Sequence, residues 1–383
     1  TRAVAGGRNI EMTHKIALAG FIAGAGYSKG YAAVFRYPEI EAVQGLTVPI
    51  CFAGRAEDSL IEALALLGDL PGPCWQETLP ANDRDAALRY REIIADHPPR
   101  GVAPVAPETG SLANRVTCRF VPWSDGEILV RECGNGAGPP LVLVPHIPGS
   151  SASYETLMLA LSPGRRVIAI DPPGNGDSDL DRVLSIDEHA AAIDDVLDAL
   201  GLETVDLYGH NGGAAIAATL ATRRKKPVGH LILDGAMALP AAVRDALAPA
   251  YAPPIHLESD GSHLLKLWAA LRNEQLYWPW FNESVECVRF VEPDTDPAHL
   301  TRRLIGILKQ HRNYAATYGV LFADDLAARV GAIACPTLVC ASESDPFADF
   351  RERAAGYVPG AVSVETPLAP VDRALVLRAF LDG

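Results

Sequence analysis

Residues 204–222 constrain the fold of this chain more than any other stretch. An apolar segment at 205–208 runs into Gly209-His210-Asn211-Gly212-Gly213 and then into an alanine-rich run that predicts a helix. A strand that enters a helix through small residues turns sharply, and the glycines let the two backbones approach closely. The pattern predicts that the Asn211 side chain stands above the carboxyl ends of a parallel sheet.

This turn resembles the nucleophile elbow of the α/β-hydrolase superfamily, which reads Gly-x-Ser-x-Gly, or Gly-x-Asp-x-Gly in the epoxide hydrolase and dehalogenase branches. Residues 171–178, DPPGNGDS, are similar to the D-x-P-G-x-G-x-S turn that follows a central strand in many members. The resemblance covers nearly all of residues 112–383. It implies an α/β fold with a mostly parallel, doubly wound sheet and a helical cap at about 236–330.

The order of apolar and helical segments within residues 112–383 agrees with such a sheet. The predicted helices are 154–161, 186–200 and 214–222, with a final helix after the last strand. The predicted strands are 115–122, 127–132, 141–144, 166–170, 204–208, 229–234, 337–341 and 362–365.

The first hundred residues repeat the end of the chain. The shift is 287 positions, the separation of Tyr27 and Tyr314. Residues 1–98 therefore look like the closing third of another hydrolase module, with a strand at 47–53 and a terminal helix at 84–96. The ungapped shift places Tyr27, Tyr31, Phe35, Pro49 and Asp58 on Tyr314, Tyr318, Phe322, Pro336 and Asp345.

A parallel sheet that begins at this point has uncovered strand faces and edges. We therefore expect a second polypeptide, or a missing upstream segment, to complete the first module, and we expect the protein to be an oligomer. A small appendage docked on the second module is the alternative. The proline-rich residues 99–111 predict a linker between the two modules.

Composition excludes several classes of function. The hydrophobic content of 49% and charged content of 21% in 383 residues are typical of a globular chain with about two domains. A net charge of −14 argues against nucleic-acid binding. The seven scattered cysteines contain no Cys-x-x-Cys pair, so neither a disulfide framework nor a metal site is indicated, and no cofactor is expected. Without a long apolar run or a signal-like segment, we expect a cytoplasmic protein that neither spans nor binds a membrane.

A hydrolase triad needs a nucleophile, a base and an acid. The resemblance places the acid at Asp345, after the penultimate strand, or at Asp234, the position that some branches use. Helix capping is the alternative role of both carboxylates. Asn211 occupies the nucleophile position, although an amide cannot attack as an alkoxide or a carboxylate does. No histidine follows His311, so the closing loop at 366–372 lacks the family base. We predict that no histidine bonds both Asp345 and Asn211.

Two histidines remain candidates for moving protons. His146 follows the third strand of the module, where the family has a His-Gly oxyanion motif, but here Ile147 replaces the glycine. His210 precedes Asn211 in the turn, where packing beneath the turn is the alternative role. The backbone amides near Ile147 and Gly212 are candidate donors to a substrate oxygen.

The predicted cap places polar side chains among large apolar ones, which suits a pocket for a small, partly apolar ligand. Packing of the cap on the core is the alternative role of its aromatic residues. The candidate ligand-contacting residues of the cap are His263, Trp268, Arg272, Trp280 and Tyr318.

Two functions stay open on the sequence alone. In the first, the chain acts on or binds a small carbonyl, ester-like or halogenated compound through a non-serine site, with His146 or His263 moving protons. In the second, it is a catalytically inactive hydrolase-like scaffold or a ligand-binding subunit in a larger assembly. A cavity that ends at Asn211 favours the first, and side chains that fill this space favour the second. Deamidation of Asn211, which precedes a glycine, is a further route to a dehalogenase-like turn.

Overall fold

The computed structural model describes residues 9–56, 58, 61–98, 101, 105 and 115–383. These residues form two units, one of residues 9–22 with 115–383 and one of residues 23–98 with 101 and 105. Apart from Gly101 and Val105, the predicted linker at 99–111 lies outside the described residues. The module bounds 1–98 and 112–383 stay predictions.

The first part of the chain ends in a two-stranded parallel sheet and a helix. Residue Ile50 lies opposite Cys74 in this sheet. The first strand begins three residues later than predicted, because Pro49 has no N–H to donate to a ladder. The elements are α1 (Ile10–Ala23), α2 (Gly26–Val34), α3 (Glu39–Gln44), β1 (Ile50–Arg55), β2 (Cys74–Leu79) and α4 (Asp83–Asp96).

The larger unit is built on an eight-stranded sheet. Its strand order is β10-β9-β8-β7-β5-β6-β4-β3; β4 pairs antiparallel with β3 and β6, and every other pair is parallel. The predicted fold class, a mostly parallel sheet with helices, is confirmed. The first elements of this unit's sheet and its helices are β3 (Thr117–Trp123), β4 (Gly126–Cys133), β5 (Leu141–Val144), α5 (Glu155–Leu161), β6 (Val167–Ile170), α6 (Ile186–Ala199), β7 (Val205–His210), α7 (Gly212–Arg223) and β8 (Val228–Asp234).

Five helices separate β8 from β9, in the region predicted as a cap. The helix α10 begins at the N-cap Asp296, whose carboxylate accepts a hydrogen bond from the His299 N–H at 2.8 Å. The remaining elements are α8 (Ala241–Leu247), α9 (Ser262–Leu276), α10 (Pro297–Leu308), α11 (Tyr314–Ala323), α12 (Leu326–Val330), β9 (Thr337–Ser342), α13 (Arg351–Tyr357), β10 (Val362–Thr366) and α14 (Pro370–Leu381).

The core lies on both faces of the central strands. In β5, Val142 and Val144 belong to one buried cluster and Leu141 and Leu143 to the other. All four side chains are fully buried, as expected of a strand covered by helices on both faces. Within the described residues, no helix is long and apolar enough to cross a membrane.

Candidate functional site

Asn211 lies at the apex of the turn between β7 and α7. Its φ is +48° and its ψ is −113°, a conformation that is rare for residues other than glycine. A Cβ atom on Gly209 would collide with the carbonyl oxygen of Gly213, and one on Gly213 would collide with the carbonyl oxygen of Pro145. Because these neighbours are backbone atoms, the close approach of strand and helix requires glycine at both positions.

A chain of hydrogen bonds passes through the apex. The backbone N–H of His146 donates to the Tyr154 hydroxyl at 3.0 Å, and this hydroxyl lies 2.6 Å from His210 Nδ1. His210 Nε2 lies 3.2 Å from Asp345 Oδ2, and Asn211 Nδ2 donates to the same oxygen at 3.3 Å. The Tyr154 hydroxyl therefore joins the backbone of His146 to one nitrogen of the His210 ring, and the other ring nitrogen faces the Asp345 carboxylate.

Contrary to the expectation from the sequence, a histidine ring lies within hydrogen-bond distance of both Asp345 and Asn211. His210 Nε2 lies 3.2 Å from Asp345 Oδ2 and also 3.2 Å from Asn211 Nδ2. The ring comes from the turn itself and not from the closing loop. Its connections nevertheless differ from those of a triad, in which one ring nitrogen faces the acid and the other faces the nucleophile. Here one nitrogen faces both groups, and Tyr154 occupies the other.

Asp345 is held as a carboxylate. It is 8% exposed, and its Oδ1 accepts a hydrogen bond from the Phe347 N–H at 2.7 Å. Burial alone raises the pKa of the Asp345 carboxyl, but hydrogen bonds from His210 and Phe347 and the charge of Arg373 bring the pKa below its ordinary value. The site therefore contains a buried negative charge beside the apex.

Asp234 belongs to a separate network. Its Oδ2 accepts hydrogen bonds from the Tyr208 hydroxyl at 2.7 Å and from Arg373 Nη1 at 3.2 Å. Only its backbone carbonyl meets the apex, where it accepts from the Asn211 N–H at 2.9 Å. The Asp234 carboxylate therefore serves an ion pair under the turn, which differs from the catalytic role predicted for it.

The cap closes over the apex through α11. His146 Nε2 lies 3.1 Å from the Tyr318 hydroxyl, and burial lowers the pKa of the His146 ring well below its ordinary value. A Cβ atom on Gly212 would lie 2.9 Å from both terminal carbons of Leu321 and 3.1 Å from Ile147 Cγ1. The structure therefore brings together four of the candidate residues, His146, Ile147, Gly212 and Tyr318, and adds Leu321; the roles of the four stay predictions.

His263 is placed away from this group. It lies near the start of α9, where its Nδ1 accepts a hydrogen bond from the Glu258 N–H at 3.0 Å. Its ring centroid lies 5.6 Å from that of His14 on α1. Neither contact involves a residue of the apex, so a contact of His263 with a ligand at the apex stays a prediction.

The other three cap candidates make structural contacts. Arg272 donates to Asn273 Oδ1 at 2.8 Å on its own helix. Trp280 Nε1 donates to the carbonyl oxygen of Tyr251 at 2.9 Å. Trp268 is half-buried against the larger core cluster. These contacts agree with the alternative reading, in which the aromatic residues fix the cap to the core.

A charged pair that the sequence did not reveal lies inside the cap. Arg303 Nη2 is 2.6 Å from Glu274 Oε2, and the Tyr251 hydroxyl donates to the other Glu274 oxygen at 3.4 Å. The Glu274 side chain is 5% exposed and that of Arg303 is 23% exposed. The two residues are 29 positions apart, on the separate helices α9 and α10, and no local sequence pattern connects them. Tyr154 was missed for the same reason.

Two clefts within the described residues lie away from Asn211. One has a volume of about 540 Å³ and is lined by charged residues that include Asp187 and Arg329. The other, of about 520 Å³, is lined by apolar residues that include Leu338 and Phe380. Neither is lined by Asn211. Across the described parts of the chain, no group of three or more His, Cys, Asp or Glu residues is arranged to hold a metal ion.

Comparisons with known proteins agree with this fold. A sequence profile of the alpha/beta hydrolase fold matches residues 139–278. The 2-hydroxy-6-oxo-2,4-heptadienoate hydrolase of Pseudomonas putida is 37% identical over 118 residues, which cover 29% of this chain and 42% of that enzyme. The match thus spans less than half the length of that relative.

Two longer matches extend the comparison. RutD of Variovorax paradoxus, named as a carbamate hydrolase, is 30% identical over 222 residues, covering 55% of this chain and 76% of that protein. A hydrolase structure from Pseudomonas aeruginosa superimposes with a TM-score of 0.54 and 21% identity, covering 70% of this chain and 98% of that one; it shows the fold alone. With a shared sheet, a matching family profile and a relative aligned over most of its length, the chain belongs to the α/β-hydrolase superfamily.

Proposed function

We propose that this chain binds a small carbonyl or ester-like compound at the apex of the β7–α7 turn and does not hydrolyse it through a covalent intermediate. One observation carries this proposal: Asn211 adopts the strained apex conformation while its amide is hydrogen-bonded to Asp345. An amide nitrogen has no free electron pair for attack on a carbonyl carbon. The strained turn then serves as a fixed hydrogen-bonding site.

The polar groups at the apex indicate the class of ligand. Gly212 is the first residue of α7, and the first N–H groups of a helix have no partner within the helix. A carbonyl oxygen of the ligand accepts from this end of the helix. Asn211 Oδ1 is buried without a hydrogen-bond partner in the described part of the chain, and an N–H or O–H group of the ligand satisfies it. These two demands favour an amide, a carbamate or a hydroxy ester over a haloalkane.

The relatives support a carbonyl ligand. The names of the Pseudomonas putida and Variovorax paradoxus proteins state oxo-dienoate and carbamate hydrolysis, both reactions of carbonyl compounds. In this chain Leu321 and Ile147 supply the apolar surface that faces Gly212.

A second function rests on a different observation. The two terminal carbons of Leu321 lie 2.9 Å from the position that a Cβ atom on Gly212 would take, so the space on this side of Gly212 is occupied. This contact favours a scaffold or a subunit whose apex holds no small ligand. A binding measurement separates the two functions.

Isothermal titration with N-methylacetamide, ethyl carbamate and 1-chlorobutane tests the proposal. We expect the first two to bind the wild-type chain and to bind Asn211→Ala about tenfold more weakly, since one buried hydrogen bond of about 1–1.5 kcal/mol is lost. Asn273→Ala is the matched control, because Asn273 is also 6% exposed but lies in the cap. Equal affinities in both variants contradict the assignment of Asn211, and the absence of binding by either carbonyl compound supports the scaffold.

Intact mass after incubation with p-nitrophenyl acetate and with a fluorophosphonate tests the chemistry. We expect no adduct, and an acyl or phosphonyl adduct overturns the non-covalent proposal. Peptide mapping of fresh protein tests deamidation. We expect the Asn211 amide to be intact, whereas conversion to the acid in most molecules would restore a carboxylate nucleophile.

A further inference from the structure

Three histidine rings meet where α1 packs on the cap. His14 lies on α1, His263 near the start of α9, and His311 in the connection between α10 and α11. The ring centroid of His14 lies 4.7 Å from that of His311 and 5.6 Å from that of His263. His14 is 6% exposed and His263 is 8% exposed. We term these three residues the histidine cluster. A positive charge on one ring acts on the others, because burial weakens the screening of charge by solvent.

The hydrogen bonds of the cluster determine which ring nitrogens carry a hydrogen at neutral pH. The carbonyl oxygen of Leu308 lies 3.2 Å from His14 Nε2 and 3.3 Å from His311 Nδ1. Because a carbonyl oxygen only accepts hydrogen bonds, both nitrogens carry a hydrogen. His263 Nδ1 instead accepts from the Glu258 N–H at 3.0 Å and carries none. An added proton therefore enters at Nδ1 of His14, Nε2 of His311 or Nδ1 of His263.

Two of these three positions do not tolerate the added proton. His14 Nδ1 is buried and has no hydrogen-bond partner within the described residues, so a proton there creates a buried charged donor without an acceptor. A proton on His263 Nδ1 faces the Glu258 N–H and breaks that hydrogen bond. His311 differs, because Glu11 Oε1 lies 3.6 Å from its Nε2 and provides an opposite charge. The cluster thus accepts one charge at His311, and a second charge is unfavourable.

The charged groups on the side of α1 and α10 do not offset a charge on His14. Glu11 already pairs with Arg312, whose Nη2 lies 3.1 Å from Glu11 Oε1. Arg312 Nη1 in turn lies 3.5 Å from Asp181 Oδ2. Because carboxyl groups ordinarily titrate near pH 4, this network keeps its charges above pH 5. A change of charge between pH 5 and pH 7.5 on this side therefore comes from the histidines.

The charged groups on the α9 side are exposed. Glu258 and Asp260 attract a positive charge on His263, but both lie in solvent, and Asp260 also faces Lys266. Exposed charges interact weakly. Burial lowers the pKa of the His14 and His263 rings, and the neighbouring rings lower the pKa further, while hydrogen bonds and nearby carboxylates offset this only in part. The docked arrangement therefore favours neutral His14 and His263.

The position of α1 depends on this cluster. Of the residues of α1, His14 is the one that is buried, and Leu18, one turn later, is half-buried against the larger core cluster. Met12 and Ile16 are 52% and 67% exposed. A helix of 14 residues is marginal in water without tertiary contacts. Charges within the histidine cluster therefore weaken the contact that supports α1.

We propose that the histidine cluster is a proton-sensitive latch, which holds α1 on the cap at neutral pH and releases it in mild acid. On release, His14 and His263 regain the ordinary pKa of about 6.5, so docking is full above this pH and weakens as the pH falls below it. Each ring that takes up a proton on release weakens docking by up to about tenfold per pH unit, and the two rings together by up to about 100-fold.

The latch is attached to a helix that packs beside the apex. Leu308 is the last residue of α10, and a Cβ atom on Gly306 of the same helix would lie 3.3 Å from the backbone nitrogen of Ser150. Ser150 lies in the loop that follows His146 and Ile147. Release of α1 removes a contact from the end of α10, so a change of pH at the cluster reaches this helix. The latch does not depend on a ligand at the apex.

Hydrogen exchange followed by mass spectrometry tests the latch in the full chain. The exchange rate of residues 10–18 is measured from pH 7.5 to pH 5 and compared with the intrinsic rate at each pH, which gives a protection factor. We expect the protection of α1 to fall about tenfold or more between pH 7 and pH 5.5, because the released helix frays. The protection of α5, which contains no histidine, should change less than about twofold. Protection of α1 that is independent of pH, or that falls in parallel with that of α5, overturns the proposal.

The double variant His14→Gln/His263→Asn tests the two rings. The glutamine places an N–H donor near the position of His14 Nε2, and the asparagine places an acceptor oxygen near that of His263 Nδ1, but neither side chain titrates. We expect α1 to stay protected at pH 7.5, and its protection to change less than about twofold down to pH 5. His256→Asn is the matched control, since His256 is exposed and precedes α9, and it should keep the wild-type pH dependence. A double variant with the wild-type pH dependence overturns the proposal.

Nitrogen-15 spectra of the wild-type imidazole rings test the latch without a substitution. At pH 7.5 we expect neutral His14 and His263 rings that carry their hydrogen on Nε2. As the pH falls, the signals of charged rings should appear together with the loss of α1 protection. A His14 or His263 ring that is charged at pH 7.5, or that becomes charged while α1 stays protected, overturns the proposal. This measurement decides the question also if the double variant does not hold α1 at pH 7.5.

Discussion

Truncation of Leu321 gives the sharpest test of the apex as a binding site. The side chain is 4% exposed and meets the space in front of Gly212. Leu→Ala removes about three carbons, worth about 2.4 kcal/mol at about 0.8 kcal/mol per buried CH₂, and the residual cavity adds to this. We expect Leu321→Ala to lower the free energy of unfolding by about 3 kcal/mol.

The control is Leu381→Ala in α14, where the leucine is 5% exposed and belongs to the other core cluster. Urea unfolding should show similar losses in the two variants. In saturating N-methylacetamide, however, only Leu321→Ala should recover stability beyond the wild-type response, because the ligand occupies the new space and binds the native state alone. If the two variants respond equally to the compound, the space beside Gly212 is not a ligand site.

Three further predictions concern the frame around the apex. Folding lowers the pKa of Asp345, so the stability advantage of the wild type over Asp345→Asn should be full above the unfolded pKa of about 3.9 and should shrink as the pH falls through the native pKa. Urea unfolding from pH 7 to pH 3 measures this difference, and a constant difference would contradict a paired carboxylate. Glu274→Ala leaves the charge of Arg303 without its partner, and we expect it to lower the free energy of unfolding by about 3 kcal/mol, at the low end for buried pairs because Arg303 is partly exposed. A decrease below about 1 kcal/mol would mean that the pair is solvated. Gly213→Ala places a methyl group against backbone oxygens at the end of β5 and should prevent the native turn from forming. We expect the native near-ultraviolet circular dichroism spectrum to be lost, whereas a wild-type spectrum with unchanged stability would contradict the packing described for the turn.

The sequence predicts the fold well because its strongest patterns are local. The apolar segments 141–144 and 229–234 differ from the observed strands by at most one residue at either end. The helix after the turn begins at Gly212, two residues earlier than predicted, since the turn leads directly into its first residue. The ends of helices and strands depend on backbone geometry, which the types of the side chains indicate only indirectly.

The site is less predictable, and His210 shows why. In a regular strand successive side chains point to opposite faces, so neighbours in sequence are not expected to reach one carboxylate. The positive φ of Asn211 breaks this alternation and lets both side chains approach Asp345. The Glu274–Arg303 pair depends on how the cap helices α9 and α10 pack, which no local pattern encodes.

The strained backbone at Asn211 also limits how this protein can change by mutation. A single base change converts an asparagine codon to a serine codon, so a hydroxyl can arise in the apex conformation in one step. That hydroxyl would meet a His210 ring whose Nε2 already faces Asp345 and whose Nδ1 is bound to Tyr154. A lineage that acquired the serine alone would therefore gain little, and selection for hydrolysis would have to recruit a new imidazole from the loop at 366–372 as well.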